Sequence, residues 1–312
     1  MKPSSSVLIT GITGFIGFNF EKYFQKKGCD VIGITRKPQE KKHYLWDEIN
    51  LQSSQVWIHA AGKAHDVKGN ANAQEYNSVN LDLTKKVFKC FTQDSKAKDF
   101  IFLSSVKAVA SHVDGVLKED DESEVDNPYG ESKRQAEKYL LEQKLPSGKR
   151  IIIFRLCMTH GPGNKGNLNL LYQFVSRSIP YPLGVFKNER SFLSVENLCF
   201  ITDEVIRNPL VKSGVYQISD DGYISTQEIV KLMGETLGIK AKVWNIPPNM
   251  IKSIARIGDF LRLPLNSYRL KKLTESYRVS NSKIKNALQI DSLPILGIDG
   301  LKKTLESFKA RK

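Results

Sequence analysis

Thr10-Gly11-Ile12-Thr13-Gly14-Phe15-Ile16-Gly17 follows the apolar run Val7-Leu8-Ile9 and opens a segment where Phe15, Ile16, Phe20, Tyr23 and Phe24 recur with helical spacing. The stretch therefore stands at a strand-to-helix turn. Such a turn is an anion site, because the first helical N–H groups lack partners within the helix and the helix dipole favours negative charge. Gly11 is read as the turn residue, Gly14 as the point where backbone approaches a pyrophosphate, and Gly17 as the contact of helix on strand. With Thr13, Phe15 and Ile16 they form a candidate dinucleotide cradle. The spacing G-x-x-G-x-x-G departs from the commoner G-x-G-x-x-G, so the strand and helix around it carry the reading.

A second pattern lies further along. Pro128-Tyr129-Gly130-Glu131-Ser132-Lys133 holds Tyr129 and Lys133 at Y-x-x-x-K spacing, and Ala136, Tyr139, Leu140 and Leu141 continue a helical pattern. Residues four apart share a helix face. A cation beside a phenol favours the phenolate, so Lys133 is expected to lower the pKa of Tyr129. A tyrosine poised in this way exchanges a proton with a substrate hydroxyl or carbonyl. Upstream, Phe100-Ile101-Phe102-Leu103-Ser104-Ser105 reads as a buried strand ending in two hydroxyls, with Ser105 placed to orient the same oxygen. Y-x-x-x-K by itself is common on solvated helix faces. Its order after the glycine turn and the strand–Ser-Ser element gives it meaning.

In these features the chain resembles the extended short-chain dehydrogenase/reductases of the NAD-dependent epimerase/dehydratase type, which act on nucleotide sugars. The resemblance runs nearly end to end. Ile58-His59-Ala60-Ala61-Gly62 is similar to the family's apolar strand ending in small residues beside the cofactor, and Asn80 to the asparagine that opens the following helix. Arg155-Leu156-Cys157-Met158-Thr159-His160-Gly161-Pro162-Gly163 stands where the family has an Arg-Pro strand ending in Tyr-Gly-Pro-Gly; Leu156 replaces the proline and His160 the tyrosine. His160 is read as a buried core histidine. Glu189-Arg190-Ser191-Phe192-Leu193-Ser194-Val195-Glu196-Asn197 is similar to the family's Arg-containing strand.

The resemblance implies a catalytic triad of Ser105, Tyr129 and Lys133, the last two also touching the cofactor. It implies cofactor contacts at Ala60, Ala61, Gly62 and Asn80, and contact of Arg190 with a substrate diphosphate. Lys107 and Asn167 are further substrate candidates. Asn164 and Asn169 share the loop of Asn167, where asparagines are ordinarily turn formers. A homodimer through helices at 76–91 and 129–143 is also implied, and those helices read as apolar enough for a four-helix interface.

The predicted second strand, Val31-Ile32-Gly33-Ile34, ends in Thr35-Arg36-Lys37. A fold that selects NAD ordinarily places an acid about twenty residues beyond the glycines, on the ribose 2′-hydroxyl. Thr35 stands there instead. A guanidinium suits a 2′-phosphate, so Arg36 favours NADP over NAD, the alternative being a solvated or adenine-stacked Arg36.

Three reactions share such a site: C4 epimerisation, reduction of a 4-keto sugar, and dehydration. The resembling dehydratases carry an Asp-Glu pair after the hydroxyl residue, where this chain has Val106-Lys107, so dehydration is discounted. The family's Val-Tyr-Gly is Ala108-Val109-Ala110 here. An NAD(P)-dependent epimerase of a UDP-sugar is placed ahead of an NADPH-dependent reductase of a UDP-4-keto-6-deoxy-hexosamine. A non-catalytic NADP-binding protein is the reading of another class.

The 312 residues carry a net charge of +14 and 40% hydrophobic residues, enough for an ordinary core. No nucleic-acid motif accompanies the charge, so it is read as a solvated lysine-rich surface that also steers an anionic substrate. No run reaches transmembrane length, and Met1-Lys2-Pro3-Ser4-Ser5-Ser6 leads directly towards the first strand without a signal pattern. Cys29, Cys90, Cys157 and Cys199 are widely spaced, as reduced thiols of a cytoplasmic protein, and no metal-ligand spacing occurs.

Strands are predicted at 7–10, 30–34, 56–59, 100–104 and 151–155, and helices at 15–27, 76–91 and 129–143. Their alternation predicts an α/β fold with a doubly wound parallel sheet. Residues 1–165 form the expected dinucleotide-binding domain. Residues 166–312 form a smaller α/β substrate domain with short strands at 214–218 and 242–246, and the resemblance implies that the strand at 214–218 returns to the main sheet. Residues 249–279 read as basic and amphipathic, to be packed on their own domain rather than on a membrane.

Overall fold

A computed structural model describes residues 6–64, 72–164, 167–261 and 266–310, with the Asn167 side chain outside that description. The first half runs β1 (Ser6–Thr10), α1 (Phe15–Lys26), β2 (Asp30–Ile34), a short β3 (His43–Tyr44) and β4 (Val56–His59). Then come α2 (Ala73–Asn77), a π-helical turn at Ser78–Asp82, α3 (Leu83–Gln93), β5 (Asp99–Ser105), β6 (Val116–Leu117), α4 (Pro128–Leu141), β7 (Arg150–Leu156) and β8 (Met158–His160). The second half holds α5 (Asn167–Ser176), β9 (Phe192–Ser194), α6 (Val195–Arg207), β10 (Gly214–Ile218), α7 (Thr226–Leu237), α8 (Pro248–Leu261), α9 (Ser267–Thr274), β11 (Arg278–Val279), α10 (Ser282–Leu288) and α11 (Gly297–Lys309).

Seven strands form one sheet in the order β10-β7-β5-β4-β1-β2-β3, and every pairing is parallel. The strands are buried on both faces, which explains their near-continuous apolar runs. Side chains alternate across the sheet. Val7, Ile9, Ile58, Ile101 and Phe154 share one core with Phe20 and Phe24 of α1 and Leu198 and Ile201 of α6. Leu8, Trp57, Phe100, Phe102 and Ile153 face the other way, onto Val87, Phe88 and Phe91 of α3 and Ala136 and Leu140 of α4. A third cluster, including Tyr172, Met233, Leu301 and Leu305, unites α5, α7 and α11. Strand order reverses between β1 and β4, so a crevice opens at their C-terminal ends.

The strand at 214–218 does return to the sheet: β10 pairs with β7, Gly214 opposite Ile152 and Ile218 opposite Leu156. The strand expected at 242–246 does not form. Only isolated bridges, Tyr181 to Val243 and Leu183 to Asn245, occur there. Pro247-Pro248 ends this segment, because proline has no N–H to continue a ladder. α4 begins as its residues demand: Pro128 occupies the first turn and Asn127 Oδ1 accepts from Gly130 N at 2.7 Å.

The apolar residues of α3 and α4 are used against the chain's own sheet. Their outer faces carry Lys85, Lys86, Lys89, Lys138 and Glu142, all exposed. Leu141 at the end of α4 stays exposed among these charges. The helical periodicity identified their apolar stripes correctly but could not say what the stripes pack on.

Candidate active site

The glycine turn joins β1 to α1 at the crevice. Gly11 sits at φ +69, and a Cβ on it would lie 2.8 Å from the Cα of Ala61. A Cβ on Gly17 would meet the Gly11 carbonyl oxygen at 2.3 Å. Only glycine fits either place. Gly14 caps α1 with no side-chain hydrogen bond, so no side chain competes for the first helical amides. Thr13 and Gly14 are exposed, and Phe15 and Ile16 half-buried, on the crevice side of the turn. The Thr35 hydroxyl lies 3.0 Å from that of Thr13 and is buried, while Arg36 beside it is exposed.

The end of β4 forms the opposite wall. Ala61 N donates to Thr10 Oγ1 at 3.3 Å. A Cβ on Gly62 would stand 3.1 Å from both Asn80 Oδ1 and Lys133 Nζ, so the missing side chain leaves a narrow slot between these groups. Asn80 does not open a helix, as expected, but lies inside the π-helical turn between α2 and α3. The widened turn holds its amide inward. Oδ1 accepts from Lys63 N at 2.8 Å, and Nδ2 donates to Lys63 O at 3.0 Å and to Ser132 Oγ at 2.9 Å. The Ser132 hydroxyl donates to the Tyr129 carbonyl at 2.7 Å.

Behind Asn80 is a buried chain that the sequence reading gave no role. The Thr84 hydroxyl donates to the Asn80 carbonyl at 2.7 Å and lies 3.0 Å from His59 Nε2. His59 Nδ1 lies 2.6 Å from Thr10 Oγ1. The chain links the end of β1 to the start of α4. Its one legible signal was a histidine closing an otherwise apolar strand, Val56-Trp57-Ile58-His59.

Ser105 ends β5, where the sheet rim meets α4. Its hydroxyl accepts from Lys107 N at 3.2 Å. The Tyr76 ring packs at 6.1 Å from the Tyr129 ring. Burial raises the Tyr129 pKa, and the neighbouring Ser105 hydroxyl only partly opposes it. The expected lowering by Lys133 therefore does not prevail. Lys133 Nζ is turned to the Leu103 carbonyl at 2.8 Å and to the Phe102 ring at 4.7 Å. Burial brings its pKa down to about 8, against the pull of Glu137. Glu137 is itself buried, held by Ser104 and by Arg155, whose Nη2 donates at 2.8 Å.

A model of the NAD dependent epimerase/dehydratase family matches residues 7–219. The chain belongs to this family. The UDP-glucose 4-epimerase of Vibrio cholerae is 31% identical over 263 residues, 79% of this chain and 79% of that protein. A UDP-2-acetamido-2,6-beta-L-arabino-hexul-4-ose reductase of Pseudomonas aeruginosa is 24% identical over 274 residues, 86% of this chain and 65% of that protein. Among solved structures, MoeE5 in complex with UDP-glucuronic acid and NAD superposes with TM-score 0.77 at 19% identity, covering 98% of this chain and all of that one. The UDP-N-acetylglucosamine 4-epimerase of Bacillus cereus does so at 0.75 and 17%, covering 98% and 99%. These two likenesses show the shared fold.

The remaining candidates are held by contacts of their own. Lys107 Nζ sits 4.0 Å over the Tyr277 ring and donates to the Ser111 carbonyl at 3.1 Å. Burial brings its pKa to about 8. The Tyr277 hydroxyl reaches the carbonyls of Ala110 at 2.7 Å and Val106 at 3.2 Å. The Arg190 guanidinium donates to the carbonyls of Lys272 and Glu275, so it fastens the end of α9. The Asn167 side chain lies outside the described residues. His160 is a core histidine, its Nδ1 2.9 Å from Thr304 Oγ1. Among the described residues no cluster of His, Cys, Asp and Glu could hold a metal ion, and no helix is long and apolar enough to cross a membrane.

Proposed function

We propose that this chain is an NAD(P)-dependent enzyme acting at C4 of a UDP-linked sugar, with epimerisation as its reaction. The observation that carries this reading is the placing of Ser105 at the end of β5 and of Tyr129 in the first turn of α4, with Lys133 one helical turn on. The cofactor's fit is supported by the glycine turn, the uncapped start of α1 and the slot at Gly62. Gly11, Thr13, Gly14, Phe15, Ile16 and Gly17 would hold its pyrophosphate, with Ala60, Ala61, Gly62, Asn80 and Lys133 beside the nicotinamide half. A bound nicotinamide supplies the redox step at the sugar carbon.

The protein's own groups do the rest. Tyr129 exchanges its phenolic proton with the sugar oxygen. Ser105 shares that oxygen's hydrogen bonds and fixes its position. Lys133, when charged, stabilises the phenolate that forms. Lys107 and Arg190 line the substrate side.

Reduction of a 4-keto sugar is the second reading, and two observations favour it. Burial keeps Tyr129 protonated, which suits a proton donor to a carbonyl. Arg36 is exposed beside the buried Thr35, where a 2′-phosphate of NADPH would lie.

The deciding experiment offers the purified protein NADPH with UDP-4-keto-6-deoxy-N-acetylhexosamine, and separately a panel of UDP-hexoses. Stoichiometric NADPH oxidation makes it the reductase. Interconversion of UDP-hexoses with cofactor retained makes it the epimerase. Tyr129→Phe is expected to keep fold and cofactor binding while cutting turnover roughly 10²–10⁴-fold, the usual size of general acid–base catalysis. Full activity in that variant would sink the mechanism.

A further inference from the structure

α8 is amphipathic in a way its own packing does not use up. Ile251, Ala255 and Gly258 are buried against the C-terminal core. Met250, Ile254, Ile257 and Leu261, spaced four, three and four residues apart, form a neighbouring stripe, each 47% to 57% exposed. Phe260 extends it at 87% exposed. Two aromatic residues flank the stripe in sequence, Trp244 before the helix and Tyr268 at the start of α9, and both are exposed. An apolar surface of this size is unusual for a face left to water.

The charge around it is predominantly positive. Lys252 and Arg256 lie on the next face of α8, and Arg269, Lys271 and Lys272 project from α9, which packs on α8. Asp259 is the one acid of α8; it keeps its charge, held by Ser267, and is outnumbered by these five cations. A second copy of the chain would bring the same cations against these, and each copy carries a net charge of +14. An anionic lipid surface removes that repulsion, accepts the apolar stripe among its acyl chains and gives the exposed aromatics the interfacial level they favour. Basic side chains near such a surface add attraction, each a small increment screened by salt.

We propose that α8 and α9 form a surface that docks on an anionic lipid bilayer, the stripe Met250, Ile254, Ile257, Phe260 and Leu261 entering the interface and the flanking lysines and arginines meeting headgroups. The helix lies on the bilayer and does not span it. The proposal is independent of which sugar reaction the crevice performs.

The test is co-sedimentation of the full chain with vesicles of phosphatidylcholine alone and of equal parts phosphatidylcholine and phosphatidylglycerol. Binding to the anionic vesicles is expected at roughly tenfold lower lipid concentration than to neutral ones, weakening as salt rises. Ile257→Asp with Phe260→Asp is expected to weaken that binding by roughly tenfold or more, since each acid opposes both the apolar and the electrostatic attraction. Both residues are exposed, so thermal unfolding should stay unchanged and a folding defect is separable. Equal binding by the double variant, or no binding to anionic vesicles, overturns the proposal. So does a dimer in light scattering that Ile257→Asp dissociates, which would assign the stripe to a second copy.

Discussion

His59 has its proton on Nε2. The Thr84 hydroxyl gives its hydrogen to the Asn80 carbonyl, so it can only accept from the ring, and Thr10 must then donate to Nδ1. Burial, with Lys133 adding to it, takes the His59 pKa down to about 3. The unfolded chain takes up a proton near pH 6.5 that the folded one refuses until about pH 3. This contribution to stability is therefore full above pH 6.5 and is lost as pH falls from there towards 3. His59→Gln should shrink the loss of unfolding free energy between pH 7 and pH 4 by about 3 kcal/mol, read from denaturant titrations at the two pH values. An unchanged pH slope would show that another group carries it. At the same scale, Arg36→Glu is expected to shift the ratio of NADPH to NADH dissociation constants towards NADH by roughly 10–100-fold, since an acid there would repel a 2′-phosphate that Arg36 would pair. Unchanged preference would remove Arg36 from the 2′-phosphate.

At the scale of elements, β1 and α1 were readable because each rule there is local. The apolar run, the glycine positions and the helical period predicted 15–27, and α1 occupies Phe15–Lys26. The contact at Gly17 makes that local rule testable. Gly17→Ala places a methyl where the Gly11 carbonyl stands, so helix and strand must part, at an expected cost of about 1–3 kcal/mol. Weaker dinucleotide binding should accompany it in a titration. Retained affinity with lost stability would separate the packing role of Gly17 from the cradle. The π-helical turn at Ser78–Asp82 is the contrary case. Its residues satisfy an α-helical pattern, and the single helix expected at 76–91 ignores it. The turn is set by what Asn80 reaches, Lys63 and Ser132, both far along the chain.

At the scale of the whole molecule, Tyr277 is fixed within the second half by its backbone and reaches the first half through its hydroxyl. Tyr277 N donates to the Glu189 carbonyl and Ser191 N to the Tyr277 carbonyl, while the Tyr277 hydroxyl holds the loop after β5. Tyr277→Phe removes only that last attachment. We expect about 1–2 kcal/mol less stability and a rise in KM larger than any fall in kcat, because the loop carries Lys107 beside Ser105 but Tyr129 stays on α4. A fall in kcat alone would place Tyr277 in the chemistry instead.

The sequence by itself determined the parallel sheet, the glycine cradle and the placing of Ser105, Tyr129 and Lys133 at one rim. Apolar periodicity, glycine sterics and the handedness of crossovers act over short spans or through general rules, so one chain suffices to read them. Only the tertiary structure decided the rest. It raised the Tyr129 pKa where a neighbouring lysine was expected to lower it, since burial depends on every element packed around the phenol. It turned α3 and α4 inward and left α8 with an apolar face outward, since an amphipathic stripe does not name its partner. It joined Thr10, His59, Thr84, Asn80 and Ser132 into one hydrogen-bonded chain, because the protons of buried polar groups are placed by partners distant in sequence.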